Sequence, residues 1–259
     1  AREGGDLEMR NVSVCVPRSD RLLVANLNVK LRRGESLLIM GPSGAGKTSL
    51  LRVLSGLWLP SEGEVMGDEN SPAARFFLPQ RVYMPQGTLA DCLSYPAAAE
   101  DQRGESNQSA LVQALDAVGL ERLPATMLAE EGEWGKMLSP GEQQRLSFAR
   151  LVLRKWTGAA FLDEATSALD GPAEARLYAL LPSLCGVFVS VAHRESLVHH
   201  HTHVLSLQGE KRSAGDDSAG GWVMQTREEF LASKGSTAPS HATKGSNAPE
   251  SSEEDARGG

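Results

Sequence analysis

A glycine-rich run at residues 41–48, GPSGAGKT, has the composition and spacing of a phosphate-binding loop. Its glycines allow successive backbone N–H groups to curl around phosphates at the start of a helix. Lys47 brings a positive charge to the β- and γ-phosphates, and the Thr48 hydroxyl is a ligand for Mg²⁺. The run lies between a continuous apolar strand and a helical segment, which is the context that such a loop requires. We therefore predict a nucleotide site formed by Gly41, Pro42, Ser43, Gly44, Ala45, Gly46, Lys47, Thr48 and Ser49.

Two adjacent carboxylates, Asp163 and Glu164, follow an apolar segment at residues 159–162. A phosphate-binding loop requires an acidic residue at a neighbouring strand end to hold Mg²⁺, and Asp163 has that position. Glu164 is a second carboxylate, placed to accept a proton from a water molecule that attacks the γ-phosphate. Paired acids after a strand more often form a solvated turn, but the loop at residues 41–48 favours the catalytic interpretation. We therefore predict hydrolysis as well as binding.

Two further strand ends carry polar side chains: Gln80 follows RFFLP, and His193 follows FVSVA. Strand ends in an open parallel sheet converge on the ligand crevice. A lone histidine is more often structural than catalytic, but its place at a strand end favours a role in the site. We expect His193 and Gln80 to lie near Glu164 and the γ-phosphate.

A helix start at residues 139–141, SPG, precedes an amphipathic stretch rich in glutamine and arginine. Ser139 is a good N-cap, and Pro140 lacks an N–H group that the first helical turn would leave unpaired. The other N–H groups of that turn need partners, yet the neighbouring sequence offers no evident anion. The helix start therefore indicates a negatively charged group from elsewhere, in this chain or in another.

The elements that must position these residues alternate between strands and helices. Residues 7–31 have the alternating pattern of short strands, and residues 32–41 form a turn that runs into a strand buried on both faces. Strands return at residues 75–80, 158–164 and 186–194. The helical residues 88–154 are inserted between two of these strands, which predicts a helical subdomain. The expected fold class is α/β.

Length, charge and cysteine usage narrow the class of protein. At 259 residues, the chain is long enough for one large domain or two small ones. Its formal charge of −7 argues against a general nucleic-acid binder, so we expect no nucleic-acid partner. Its 3 scattered cysteines fit a reducing compartment better than a disulfide framework. No apolar run approaches the ~18 residues needed to cross a bilayer, so we expect a soluble chain. Residues 233–259 are low in complexity, which predicts a disordered tail.

Taken together, these residues resemble the nucleotide-binding domain of an ABC transporter. The motifs occur in the order of that family: the phosphate-binding loop, Gln80 in the Q-loop, a signature segment LSPGEQ at residues 138–143, the acidic strand end with Glu164, a D-loop SALD at residues 167–170, and His193 in the H-loop. The resemblance covers residues 7–226. It implies an α/β P-loop NTPase with a RecA-like core, an antiparallel β subdomain and an inserted α-helical subdomain at about residues 88–154. The domain as a whole would span residues 1–232, with the tail after it.

The resemblance also implies roles for individual residues. ATP is the expected nucleotide and Mg²⁺ the expected cofactor; the metal ligands would be Thr48, Gln80 and Asp163, and the catalytic residues Glu164, His193 and Gln80. In this family the signature segment faces ATP held by a second nucleotide-binding domain, so that two domains enclose two nucleotides head to tail. The residues expected to contact that ATP are Ser139, Gly141, Glu142 and Asp170. The anion at the helix start would then lie on another chain, identical or different.

Further segments resemble subfamily D of these transporters: FFLPQRVYM at residues 76–84, Trp134 ahead of the signature segment, HTHVLSL at residues 201–207 and GGWVM at residues 220–224. Subfamily D proteins are half-transporters with a membrane domain fused ahead of the nucleotide-binding domain, known for fatty acyl-CoA transport into peroxisomes. Related bacterial and plastid proteins share these motifs with other substrates, and GEQQRLSFARLVL at residues 141–153 resembles that branch. The resemblance implies a transmembrane partner domain, a place on the cytosolic or stromal face of a membrane, and fatty acyl-CoA or a related lipid as substrate. A soluble ABC-type ATPase that is not coupled to transport is the alternative.

Three features depart from the family pattern. Pro140 replaces the first glycine of the usual LSGGQ signature and so removes one donor to the phosphate. The aromatic residue that stacks on adenine in many ABC proteins is not evident at residues 14–17. Residues 211–219 are a polar insertion, which we expect to form a surface loop.

The histidine-rich residues 199–203 resemble a metal site, but a packed or solvated strand entry is favoured over metal binding.

Overall fold

The elements that carry these motifs are described in a computed structural model for residues 6–16, 19, 21–67, 75–96, 105–154, 157–208 and 221–235. Within these ranges the strands are β1 (Leu7–Cys15), β2 (Leu22–Leu31), β3 (Ser36–Met40), β4 (Glu62–Gly67), β5 (Arg75–Leu78), β6 (Gly87–Thr88), β7 (Glu131–Gly132), β8 (Thr157–Asp163), β9 (Cys185–Val191), β10 (His203–Leu207) and β11 (Trp222–Thr226). The helices are α1 (Lys47–Leu54), α2 (Leu89–Ser94), α3 (Glu105–Ala117), α4 (Trp134–Met137), α5 (Pro140–Leu153), α6 (Gly171–Leu184) and α7 (Arg227–Gly235). Two short 3₁₀ helices cover Ala125–Ala129 and Glu195–His200.

The larger sheet has the strand order β11-β10-β3-β9-β8-β5. The strands from β10 to β5 run parallel, and β11 pairs antiparallel with β10. Every residue of β8 and β9 is buried, as expected for parallel strands that are covered on both faces. The register places Ile39, Asp163 and Val191 level with one another. The loops that follow β3, β8 and β9 therefore leave from the same edge of the sheet, where ligands bind in such folds.

The smaller sheet, in the order β2-β1-β4, is antiparallel throughout. Its buried residues, among them Leu27 and Leu31, share one core with α1 and with one face of the larger sheet. Because α1 follows directly on the phosphate-binding loop, this core holds that loop between the two sheets. The antiparallel strands and the parallel sheet together give the α/β architecture that the sequence predicts.

Helices α2 to α5 lie within residues 88–154 and build a second core. Leu115 of α3, Trp134 of α4 and Leu146 of α5 are buried in it, together with Ala160 and Leu162 of β8. Phe161, between these two strand residues, belongs to the first core, as the two-residue period of a strand requires. The helical part is thus packed against the face of the larger sheet that α1 does not cover.

Several boundaries differ from the sequence prediction. Strand β5 ends at Leu78 rather than at Gln80, β8 at Asp163 rather than at Glu164, and β9 at Val191 rather than at Arg194. Gln80, Glu164 and His193 therefore lie in the loops that follow these strands. Residues 233–235, which the sequence assigns to a disordered tail, form the last turn of α7. That helix has reciprocal capping bonds between Thr226 and Glu229, and it buries Phe230. The rest of the predicted tail and the predicted surface loop at residues 211–219 lie outside the described residues.

Candidate nucleotide-binding and catalytic site

The phosphate-binding loop connects the end of β3 to the start of α1. Gly41 has a φ of +146°, and a Cβ atom there would lie 2.6 Å from the carbonyl oxygen of Leu207. Gly46 has a φ of +91°, and its Cβ would lie 2.9 Å from the Cβ of Leu23. A side chain at either position would meet its neighbour and strain the backbone. Glycine is therefore required by close approach as well as by the left-handed conformation.

Lys47 is 6% exposed, and its ammonium donates to the carbonyl oxygens of Gly41 and Pro42, both at 2.9 Å. Burial lowers the pKa of Lys47, and the nearby Glu164 and Asp163 oppose that effect. The two carbonyls are neutral acceptors. A phosphate bound in the loop offers the same ammonium a charged and therefore stronger acceptor.

Thr48 and Asp163 form the oxygen pair that Mg²⁺ binding requires. The Thr48 hydroxyl donates to Oδ1 of Asp163 at 2.9 Å, across the edge between α1 and β8. Asp163 is 5% exposed, and burial raises its pKa against the effect of the Thr48 hydrogen bond. A hydroxyl and a carboxylate are ligands of the kind that hard cations prefer. The residues thus fit the magnesium ion that the family implies.

Glu164 is contacted on both carboxylate oxygens. Gln80 Nε2 donates to Oε2 at 2.6 Å, and His193 Nε2 lies 3.0 Å from Oε1. The structure therefore brings together Glu164, Gln80 and His193, which lie at the ends of three different strands in the sequence prediction. The amide nitrogen of Gln80 is directed at Glu164 rather than at the Thr48–Asp163 pair, where Gln80 was also predicted as a metal ligand.

A cavity of about 320 Å³ joins the loop to the carboxylates. It is lined by Val16, Arg21, Leu23, Ser43, Gly44, Gly46, Lys47, Thr48, Ser49, Glu164 and His193. Sequence reasoning missed Arg21 and Leu23, although both lie just past the turn that follows β1. Arg21 lies close to residues 14–17, since the Val16 N–H donates to its carbonyl oxygen at 2.9 Å.

The signature segment, residues 138–143, is packed against the D-loop of the same chain. Ser139 caps α5 and is bonded reciprocally to Glu142, which confirms the predicted helix start. A Cβ on Gly141 would lie 3.0 Å from the carbonyl oxygen of Ala168 in the D-loop. Asp170 ends the D-loop as the N-cap of α6 and accepts from Ala173 N at 2.9 Å. Ser139, Gly141, Glu142 and Asp170 are absent from the lining of the cavity described above.

The histidine-rich residues 199–203 lie at the entry to β10. His201 is 1% exposed, and its Nδ1 lies 2.7 Å from the carbonyl oxygen of Leu197. The ring of His200 stacks on Tyr178, with 5.4 Å between the centroids. Among the described residues, no group of three or more His, Cys, Asp or Glu side chains could hold a metal ion.

A glycine-rich loop, a hydroxyl–carboxylate pair and a second carboxylate at the edge of a parallel sheet define a P-loop ATP-binding domain. Residues 24–167 match the family model described as ABC transporter. The chain therefore belongs to the ABC transporter family, and its relatives show that its ATP-binding domain is of the subfamily D type.

The human lysosomal cobalamin transporter ABCD4 is 41% identical over 210 residues, which cover 79% of this chain and 34% of that protein. An uncharacterised ABC transporter ATP-binding protein of Synechocystis is 41% identical over 213 residues, with 82% of this chain and 31% of that protein covered. The chain thus spans about a third of these relatives. A bacterial Atm1-family ABC exporter solved with ATP bound has the same fold, with a TM-score of 0.70 at 24% identity over 90% of this chain and 41% of that one.

Proposed function

We propose that this chain is the ATP-hydrolysing motor domain of an ABC half-transporter. The observation that carries the proposal is the position of Glu164. Its carboxylate lies at the edge of the parallel sheet, next to the Thr48–Asp163 pair, and is held by Gln80 and His193. An ATP-binding module without turnover has no need of a second, oriented carboxylate beside its metal ligand.

In the proposed reaction the loop backbone and Lys47 bind the phosphates of ATP. Thr48 and Asp163 hold Mg²⁺, which when bound offsets the negative charge of the β- and γ-phosphates. Glu164 accepts a proton from the attacking water, while Gln80 and His193 keep its carboxylate directed at that water. Lys47 exchanges its two carbonyl acceptors for phosphate oxygens when the nucleotide enters.

The site is completed by a second nucleotide-binding domain, in a head-to-tail dimer. Ser139, Gly141, Glu142 and Asp170 lie outside the cavity of their own chain, which supports a role on the ATP of a partner. The first turn of α5 carries the positive end of the helix dipole, which favours an anion there. A partner's γ-phosphate supplies that anion.

The dimer drives a membrane domain that lies outside this sequence. The chain spans about a third of the length of its relatives. By its resemblance to the half-transporters, we expect the membrane domain to be fused at the N-terminal side in the full-length protein. Among the described residues no helix is long and apolar enough to span a bilayer. We place the chain on the cytosolic or stromal face of a membrane. One relative is named as a cobalamin transporter; fatty acyl-CoA or a related lipid remains our predicted substrate.

The experiment that tests this function is the solution mass of the Glu164→Gln chain with and without Mg-ATP, by light scattering on a sizing column. We expect a shift from monomer to dimer with Mg-ATP, and a fall of about 100-fold or more in phosphate release by the paired domain. The matched control, Lys47→Ala in the same background, should abolish the shift because phosphate binding is lost. A chain that binds ATP and stays monomeric would contradict the head-to-tail dimer.

A further inference from the structure

Glu142 has more partners than a helix cap requires. Its Oε2 accepts from the backbone N–H of Ser139 at 2.9 Å, and the Glu142 N–H donates to the Ser139 Oγ at 3.4 Å, which together form a capping box. The Ser139 hydroxyl also donates to Oε2 at 2.8 Å. Its Oε1 is bound by Nε and Nη2 of Arg122. The helix cap uses Oε2 only, so the contact of Arg122 with Oε1 is not explained by capping.

The turn that carries Arg122 is anchored by neighbouring residues and not by the Arg122 side chain. The flanking Leu120 and Leu123 are buried, and Arg145 of α5 donates to the carbonyl oxygen of Gly119 at 2.8 Å. These contacts tie the turn after α3 to α5. The Arg122 side chain is 57% exposed and the Glu142 side chain 13%. The Arg122 side chain therefore does not anchor the turn. It places a positive charge next to Glu142 in the signature segment.

The negative charge of Glu142 is important because the signature segment is proposed to bind the γ-phosphate of a partner's ATP. Burial acts to raise the pKa of Glu142, but hydrogen bonds from Ser139 and Arg122 outweigh it, and the pKa is lowered. The first turn of α5 thus carries a full negative charge close to the Ser139 hydroxyl. Although Glu142 is one of the residues expected near the partner's ATP, its carboxylate without a counter-charge would repel a γ-phosphate that approaches this hydroxyl. The hydroxyl itself now donates to Glu142 and must turn away from it to donate to a phosphate.

We propose that Arg122 is the counter-charge that allows the signature segment to bind the γ-phosphate of a partner's ATP. Its guanidinium neutralises Glu142 and keeps that carboxylate in place when the Ser139 hydroxyl turns to the phosphate. Arg122 is thus a positioning residue that acts through Glu142. The inference rests on the proposed head-to-tail dimer, and it adds a residue outside the six family motifs to the cross-chain contact.

The test is a double-mutant cycle in the Glu164→Gln chain, with the Mg-ATP concentration that gives half-maximal dimer as its readout. Arg122→Gln should raise that concentration about 10-fold, because it leaves Glu142 uncompensated. Glu142→Gln keeps a capping-box side chain but removes the charge, so it should lower the concentration. In the Glu142→Gln background, Arg122→Gln should have no further effect. Arg10→Gln, which removes an exposed charge from β1, is the matched control.

Each outcome has a distinct meaning. An Arg122→Gln effect of equal size in both backgrounds would overturn the inference, since Arg122 would then act on the fold or on the phosphate directly. No effect in either background would overturn it as well. If the Glu164→Gln parent binds ATP but never dimerises, the head-to-tail dimer fails and this inference fails with it. Binding of a fluorescent ATP analogue at low protein concentration reports on the phosphate-binding loop and the folding of each variant separately.

Discussion

At the scale of single residues, Glu164 combines an uncommon backbone with a fully engaged side chain. Its φ of 48° lies in the left-handed region, where residues other than glycine are strained. Its N–H donates to the carbonyl oxygen of Val191 at 3.0 Å, and Gln80 and His193 contact its two side-chain oxygens. Strain of this kind persists only where several contacts over-determine a residue. The protein itself therefore sets the direction of this carboxylate.

The end of the cavity away from the phosphate-binding loop is the expected place for the base of the nucleotide. If the phosphates lie in the loop at residues 41–48, as we propose, the base faces the lining residues ahead of that loop in the sequence, Val16, Arg21 and Leu23. Val16 and Leu23 offer apolar contact, and the guanidinium of Arg21 can stack on a planar ring. We therefore expect Arg21 to supply part of the contact that an aromatic residue at residues 14–17 would give.

We predict that Arg21→Ala raises the Kd for ATP about 3-fold, because an exposed stacking contact of this type is weak. The Kd for inorganic triphosphate, which has no base, should not change. Competition against a fluorescent ATP analogue measures both constants, and Lys30→Ala on the exposed face of β2 is the control. An equal loss of affinity for ATP and for triphosphate would place Arg21 on the phosphates instead.

Residue types and spacing predicted those parts of the site that lie in one short segment. The loop at residues 41–48 and the pair Asp163 and Glu164 carry their chemistry in consecutive positions. Arg122 could not be found in that way, because its partner Glu142 lies 20 residues further along the chain. Arg21 could not be found either, because the fold brings it to the cavity beside a loop from a distant part of the sequence. Gln80 shows the same limit: the sequence predicts its location near Glu164 but not which atoms its amide contacts.

At the scale of elements, α5 connects three motifs that are far apart in the sequence. Its N-terminus holds the signature segment, and Gln144 on its second turn bridges to the D-loop. Gln144 Nε2 donates to Ser167 Oγ at 3.1 Å, and its Oε1 accepts from Ala168 N at 2.9 Å. Further along, Arg150 donates to the carbonyl oxygen of Tyr83 at 2.9 Å, just past Gln80. A shift of this helix would therefore move the signature segment, the D-loop and the Q-loop together.

We predict that Gln144→Leu lowers the free energy of unfolding by about 1–3 kcal/mol. Gln144 is buried, and its replacement leaves the Ala168 N–H without its acceptor. Urea unfolding followed by circular dichroism measures the change. Gln113→Leu, on the exposed side of α3, is the matched control and should stay within about 0.5 kcal/mol of the parent. A Gln144→Leu chain as stable as this control would show that the bridge does not hold the D-loop.

Element types were predictable where local chemistry decides them. Ser139 with Pro140 begins α5 as expected, since an N-cap and a proline in the first turn are local signals. The reciprocal bonds between Ser139 and Glu142 were not predicted. Helix α7 was not predicted, because its single large buried residue, Phe230, packs into a core formed by distant elements. The predicted end of β5 was wrong by two residues. Its hydrogen-bonded pairing with β8 ends at Leu78, and the sequence alone does not show where such pairing stops.

At the scale of the whole molecule, the larger sheet separates two cores, and His201 lies in the core that faces the helices. Its ring packs against Tyr178 of α6 and Phe188 of β9, with centroid distances of 5.5 Å and 5.1 Å. Burial lowers its pKa to about 4, against the opposing effect of the hydrogen bond to Leu197. Protonation of this buried ring would disturb the packing of several elements. It therefore lowers the free energy of unfolding of the whole domain.

The sign of the pH effect follows from that lowered pKa. Below about pH 6.5 the unfolded chain binds a proton at His201 that the folded chain does not bind until about pH 4, so the free energy of unfolding falls as pH falls. From pH 7 to pH 5, protonation of His201 in the unfolded chain should lower the free energy of unfolding by about 2 kcal/mol.

We predict that His201→Phe, which keeps a ring in the same packing, reduces the loss of unfolding free energy between pH 7 and pH 5 by about 2 kcal/mol. Urea unfolding at the two pH values measures it, with the exposed His199→Gln as control. An unchanged pH dependence in His201→Phe would mean that the buried ring takes up its proton without opening the core.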